Sequence, residues 1–135
     1  MCALCGIATT GSRVDGELLR RMTRILSYRG PDEEGFYISD RIGLGHSRLA
    51  IIDLRTGRQP IANEDGTIFL VVNGEIYNFR DLREALERRG HRFATSSDSE
   101  VIVHLYEEKG IEMLADLRGA FALAIWDSRQ DSLVL

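Results

Sequence analysis

Thr67-Ile68-Phe69-Leu70-Val71-Val72-Asn73-Gly74-Glu75-Ile76-Tyr77-Asn78-Phe79 is the stretch on which the fold turns. Its apolar run, from Ile68 to Val72, reads as a buried strand over Thr67 to Asn73. Turn signals flank it. Asp65-Gly66 predicts a hairpin leading into the strand, and Asn73-Gly74 by itself predicts a type I′ turn at its end.

Downstream, a helix is predicted from Asn78 to Gly90, with Phe79, Leu82 and Leu86 on one stripe. A second opens with Ser97-Asp98-Ser99-Glu100, a capping box, and turns Val101, Ile102, Leu105 and Tyr106 inward before Gly110. Ala120 to Asp127 and Ser132 to Leu135 read as strands around a polar turn. Upstream, Cys5 to Thr9 is a short apolar piece, followed by a helix capped by Asp15 and carrying Leu18, Leu19, Met22, Ile25 and Leu26. Phe36 to Ser39 and Ile42 to His46 are predicted strands joined at Asp40-Arg41, and Leu49 to Leu54 reads as a further extended run. The pattern is α+β. The chain ends on Leu133-Val134-Leu135, and an apolar strand without a polar tail predicts a domain that continues further.

The 135 residues, 44% hydrophobic and 28% charged, suit one soluble globular domain with a core that needs no disulfide staples. Seventeen Lys+Arg against 21 Asp+Glu give a net charge of −4, the wrong sign for a dedicated nucleic-acid binder. No apolar run approaches the ~18 residues of a membrane span, and the amino terminus has no signal-peptide pattern, so a cytoplasmic protein is expected. No His-Glu-x-x-His spacing, Gly-x-Gly-x-x-Gly or Walker-type loop occurs; no metal or nucleotide site is expected on this chain. The histidines, His46, His91 and His104, each sit in a segment with a structural explanation.

A cysteine almost at the amino terminus stands out. An α-amino group has an unperturbed pKa of about 7.7–8.0, so it can act as the base for a neighbouring thiol without any histidine. The two cysteines, Cys2 and Cys5, are too few and too close for a disulfide framework or a four-ligand zinc site. Cys2-Ala3-Leu4-Cys5 imitates a redox Cys-x-x-Cys, but such a motif opens a helix after a strand, whereas here a strand is predicted to follow.

Six blocks in order carry a resemblance. They are Cys5-Gly6-Ile7-Ala8, Tyr28-Arg29-Gly30-Pro31-Asp32-Glu33-Glu34-Gly35, the run from Leu44 to Leu54, Asn73-Gly74-Glu75-Ile76-Tyr77-Asn78-Phe79, Ser97-Asp98-Ser99-Glu100-Val101, and the run from Leu117 to Asp127. Together they resemble the amino-terminal glutaminase domain of glutamine-hydrolysing asparagine synthetases, a class II glutamine amidotransferase. The resemblance implies the amino-terminal-nucleophile hydrolase fold, an α/β/β/α sandwich of two antiparallel sheets between helical layers. It also implies hydrolysis of L-glutamine through a cysteine thioester, with the ammonia passed to a synthetase domain. ATP and magnesium are expected only on that synthetase domain, in cis or on a partner chain, and a homodimer is possible. A non-catalytic glutamine-binding or interaction module of the same fold is the alternative.

Residue by residue, the resemblance implies Cys5 as nucleophile, and Asn73 and Gly74 as oxyanion donors. Arg48 aligns with the grip on the substrate α-carboxylate and Asp98 with the acceptor for its α-ammonium. Leu49, Ala50, Ile51, Ile52 and Glu75 fall where glutamine is contacted largely through backbone, and Arg29 is a supporting residue. In the family the nucleophile directly follows the initiator methionine, whereas here further residues precede Cys5. Three resolutions stand: residues 1–4 are a cleaved leader before a domain at 5–135, Cys2 acts despite the insertion, or translation starts at the Leu4 codon. Cys5 is the expected nucleophile and Cys2 the alternative.

Overall fold

A computed structural model describes residues 2–51 and 53–135. Strand β1 (Ala3–Ala8) leads to helix α1 (Gly16–Ile25), then to β2 (Glu33–Ile38) and β3 (Ile42–Arg48). After a long irregular connection come β4 (Ile61–Ala62), β5 (Ile68–Ile76), α2 (Phe79–Arg88) and α3 (Glu100–Lys109). A 3₁₀ turn at Gly110–Ala115 precedes β6 (Gly119–Asp127) and β7 (Ser132–Val134). The strands form two antiparallel sheets, ordered β1-β3-β2 and β4-β5-β6-β7.

The alternation along β5 explains the layers. Ile68, Leu70, Val72 and Ile76 pack with Leu86, Val101, Ile102, Leu105 and Met113 in the core beneath α2 and α3. Phe69 and Val71 project from the opposite face into a second core with Ile42, Leu44, Ala124 and Trp126, between the two sheets. A strand apolar on both faces must be covered on both. Tyr37 of the first sheet stacks on Phe69 of the second, ring centroids 3.7 Å apart. On the outer face of the first sheet lies α1, which buries Leu19 and Thr23, and the result is a four-layer α/β/β/α sandwich. Its start is set as expected, with Asp15 Oδ1 accepting the Leu18 N–H at 3.0 Å.

Three local expectations require correction. Asn73-Gly74 is not a turn: β5 runs through it to Ile76, with Asn73 opposite Ala122 and Gly74 opposite Phe121. The glycine serves a close approach, since a Cβ there would lie 2.3 Å from the Ala120 carbonyl oxygen. The described part of Leu49 to Leu54 is irregular, and Ile51 and Leu54 are exposed at 71% and 68%. The capping box gives way to a different arrangement at α3. Ser97 Oγ accepts the Ser99 N–H, while Glu100 reaches back to the Ala94 and Thr95 N–H groups at 2.7 Å each.

His46 lies in β3 with its Nε2–H donating to the Val72 carbonyl at 3.2 Å, tying the sheets together. Burial pushes its pKa down to about 4. An unfolded chain therefore gains a proton at this site below about pH 6.5 while the folded one does not until pH 4. Stability should fall by about 3 kcal/mol as pH drops across that window and be fully present above it. Urea midpoints measured from pH 7.5 to 4 check this: H46Q should flatten the slope by as much as one proton, and an unchanged slope would refute it.

Candidate active site

A cavity of about 400 Å³ opens where the two sheets and the start of α3 converge. Cys2, Arg48, Leu49, Asn73, Gly74, Glu75 and Asp98 line it, with Ile51 at its rim. A volume of this size suits a small polar metabolite.

Each contributor is held by the local fold. Just before β1, Cys2 places its Sγ 3.4 Å from the Leu49 amide nitrogen and 3.6 Å from the Leu49 carbonyl. The Leu49 N–H can thus donate to a thiolate there. Asn73 and Gly74 sit where β5 runs beyond the inter-sheet core and becomes accessible. Asp98, 4% exposed, accepts the Ile76 N–H on Oδ2 at 2.8 Å, so it is locked to the end of β5 rather than to α3.

Arg48, at the end of β3, is 4% exposed. Its Nη1 donates to Glu33 Oε2 at 2.7 Å and its Nη2 to the Asp53 carbonyl. Glu33 also accepts from Arg58 Nε at 2.8 Å, and its two arginine partners hold its carboxyl below the usual glutamate range. Gly57 packs against the same guanidinium, where a Cβ would come within 2.7 Å of Nη2. The Arg29-Gly30-Pro31-Asp32 turn braces this segment from behind. Gly30 accepts from Ser47 Oγ at 2.8 Å, the Asp32 N–H donates to the Arg48 carbonyl at 3.0 Å, and Asp32 Oδ2 accepts the Ala50 N–H at 2.8 Å. Arg29 and Ala50 are therefore outside the cavity lining, and the turn sets the course of the chain on either side of Arg48.

Cys5, the expected nucleophile, is not brought to the cavity, whereas Cys2, the alternative, lines it. The Cys5 Sγ lies 3.3 Å from Thr23 Oγ1 under α1, beside Gly45, on the outer face of the first sheet. The cause is the two-residue period of a strand: positions 2 and 5 differ by an odd number and project to opposite faces. Ala3 and Leu4 open β1, opposite Ser47 and His46. Ile52 lies outside the described residues.

Several lining residues escaped the sequence reading, among them Gln59, Tyr77, Ser97 and Ser99. Gln59 clasps Val72 through both ends of its carboxamide, Oε1 accepting the Val72 N–H at 2.7 Å and Nε2 donating to its carbonyl at 3.0 Å. Asp53, at φ 51°, accepts the Thr56 and Ser96 N–H groups. Those bonds hold its pKa down at about 2 despite the partial loss of solvent. Both residues lie in the irregular connection, where no periodicity advertises them.

The family model of the glutamine amidotransferase domain matches residues 1–135. The chain belongs to that family. Asparagine synthetase [glutamine-hydrolyzing] 2 of Bacillus subtilis is 46% identical over 139 residues, covering all of this chain and 18% of the relative. Asparagine synthetase B [glutamine-hydrolyzing] of Escherichia coli is 43% identical over 139 residues, again all of this chain, and 24% of its own length. The chain thus spans less than a quarter of these relatives. Among solved structures, an allosteric regulatory enzyme of purine biosynthesis matches at a TM-score of 0.56 and 29% identity, over 67% of this chain and 22% of that one. The glutamine phosphoribosylpyrophosphate amidotransferase of B. subtilis matches at 0.56 and 24% identity over 93% of this chain and 29% of its own, a likeness of fold. The amidotransferase domain is therefore an amino-terminal-nucleophile hydrolase sandwich. Among the described residues no helix is long and apolar enough to cross a membrane.

Proposed function

We propose that this domain hydrolyses L-glutamine to L-glutamate and ammonia with Cys2 as the nucleophile. The observation that carries the reading is the convergence of Cys2, Asn73, Gly74, Arg48 and Asp98 on one cavity from which Cys5 is absent. Once Met1 is removed, the α-amine of Cys2 takes the thiol proton, and the sulfur attacks the side-chain carbonyl carbon of glutamine. The carbonyl oxygen becomes an oxyanion, stabilised by the Asn73 carboxamide and the Gly74 N–H. As that intermediate collapses, the α-ammonium hands the proton to the departing amide nitrogen, the C–N bond breaks and ammonia leaves. Water, deprotonated by the same amine, then cleaves the thioester to glutamate.

Substrate selection rests on opposite charges. The planar Arg48 guanidinium suits the α-carboxylate, and the buried Asp98 carboxylate suits the α-ammonium. A peptide-bound glutamine offers neither charge. Leu49, Ile51 and Glu75 wall the cavity, and the resemblance adds Ile52 to the residues that contact glutamine. Arg29 supports the turn behind Arg48.

The names of the relatives point to the destination of the ammonia: amidation of aspartate to asparagine by a synthetase unit, in cis or on a partner chain, in the cytoplasm. ATP and magnesium belong to that unit. The carboxylates of Asp98 and Glu75 in the lining of this cavity would repel the phosphates of ATP. Homodimer formation is a further element of this reading, open to measurement by sedimentation.

A glutamine analogue with an electrophilic carbon in place of the carboxamide tests the proposal. After incubation, proteolysis and fragment-ion sequencing of the amino-terminal peptide, which carries both cysteines, the added mass should sit on Cys2. Labelling of Cys5 would overturn the assignment, and absence of labelling in a folded chain that still binds glutamine would favour a non-catalytic binding module.

A further inference from the structure

We propose that Glu64, His91, His104 and Glu107 form a binding site for one divalent cation of zinc's class. None of the four lines the cavity that holds Cys2. Glu64 lies in the β4–β5 hairpin, His91 follows α2, and His104 and Glu107 share one face of α3 at a spacing of three residues. One ligand atom from each lies within 4.8 Å of those of the others.

The distances fit a small coordination sphere. His104 Nδ1 is 3.3 Å from Glu64 Oε2, His91 Nδ1 is 3.4 Å from Glu64 Oε1, and His91 Nδ1 is 3.9 Å from Glu107 Oε2. A tetrahedron with metal–ligand bonds of about 2.0–2.1 Å has edges of about 3.3 Å. These donors are therefore spaced as ligands are, and a centre among them has room for a metal ion after small adjustments of side chains.

Burial supplies the independent observation. His104 is 1% exposed, yet neither ring nitrogen makes a hydrogen bond, and Glu107 Oε2 is likewise buried without one. Burying such groups unpartnered costs about 1–3 kcal/mol each, which a ligated ion would offset. Their surroundings orient the same set. Glu107 Oε1 accepts from Asn63 Nδ2 at 3.2 Å, leaving Oε2 turned toward His91. His91 Nε2 donates to Glu108 Oε1 at 3.2 Å, so that the lone pair of a neutral ring would lie on Nδ1, toward Glu64 and Glu107. Glu100 Oε1 stands 3.6 Å from His104 Nε2, the equivalent carboxylate behind the second imidazole. Metal-bound histidines are commonly backed by carboxylates in this manner.

Charge and donor type select the ion. Two carboxylates balance a divalent cation, and two imidazoles prefer zinc over magnesium or calcium, which take oxygen ligands. Arg89 pairs with Glu108 and so compensates that outer carboxylate, while Arg129 lies 3.8 Å from Glu107 Oε1, the oxygen turned away from His91. The expected role is a clip that fastens the β4–β5 hairpin to α3 and the segment after α2. No motif search could find it, because the ligands are drawn from three separate elements.

The test uses the chelator-stripped chain carrying C2S and C5S, so that no thiol competes for the metal. Calorimetric titration with zinc chloride should show one equivalent bound, and zinc at about 100 times its dissociation constant should raise Tm by about 8 °C. Magnesium chloride at the same concentration should leave Tm unchanged. H91A should weaken zinc binding at least about 10-fold and abolish the Tm shift while leaving the metal-free circular dichroism unaltered; E64Q, at a more exposed position, should do the same. Failure to bind one equivalent, an equal response to magnesium, or undiminished binding in folded H91A and E64Q would overturn the proposal.

Discussion

C2A should lower kcat/KM for glutamine hydrolysis by about 10⁴-fold or more, whereas C5S should remain within about threefold of the parent. The first figure follows from removing a nucleophile whose partners cannot act without it. The second follows from the face on which Cys5 lies. Its sulfur touches Thr23 Oγ1 and the space over Gly45 rather than the cavity, and a serine hydroxyl keeps a hydrogen bond to Thr23 in slightly less volume. Initial-rate measurements of glutamate release by both variants check the pair. The base can be examined in the same preparation: chains that retain Met1, separated by intact mass, should be as inactive as C2A, because the Cys2 nitrogen is then an amide. Full activity in C2A, or loss confined to C5S, would remove the mechanism.

G74A should cost both the fold and the reaction. The added Cβ would sit 2.3 Å from the Ala120 carbonyl oxygen and 2.5 Å from Phe121 Cα, and both obstacles are the backbone of the neighbouring strand. Neither can withdraw without breaking the β5–β6 ladder on both sides of the site, from Asn73–Ala122 to Glu75–Ala120. A loss of about 3 kcal/mol is expected from such overpacking, read as a lower urea midpoint. Rate should fall in addition by about 10²–10³-fold in the fraction that stays folded, since the displaced N–H is the proposed oxyanion donor. G119A separates the two effects. Its Cβ would meet the Glu75 carbonyl at 2.1 Å, so it should share the loss of stability while retaining more of the rate per folded molecule. Equal rates in folded G74A and parent would sink the assignment of Gly74.

What the sequence disclosed, and what it did not, divides along physical lines. The helix start at Asp15 was legible from its cap, and the helix start near Asn78 and the turn before β7 from changes of period, all of them local signals. The blocks around Arg48, Asn73 and Asp98 pointed to residues that the fold does gather around one cavity. Asn73-Gly74 misled because its turn propensity is a local preference, and pairing with β6 over the length of β5 outweighs it. Cys5 was favoured on a short word, Cys-Gly-Ile-Ala, whereas the odd spacing of the two thiols sends them to opposite faces and leaves Cys2 at the cavity. Gln59, Asp53 and the Glu64–His91–His104–Glu107 cluster were beyond reach, since each depends on partners distant in the chain.

The Gln59 carboxamide has a consequence for behaviour at high concentration. β4 pairs with β5 only through Ile61–Leu70 and Ala62–Phe69, and the ladder would otherwise stop short of Val72. Gln59 stands in for one more rung by taking both backbone groups of Val72. A foreign strand therefore finds no vacant amide there to recruit, and the border of the sheet is protected against the cross-molecule zipping that leads to aggregates.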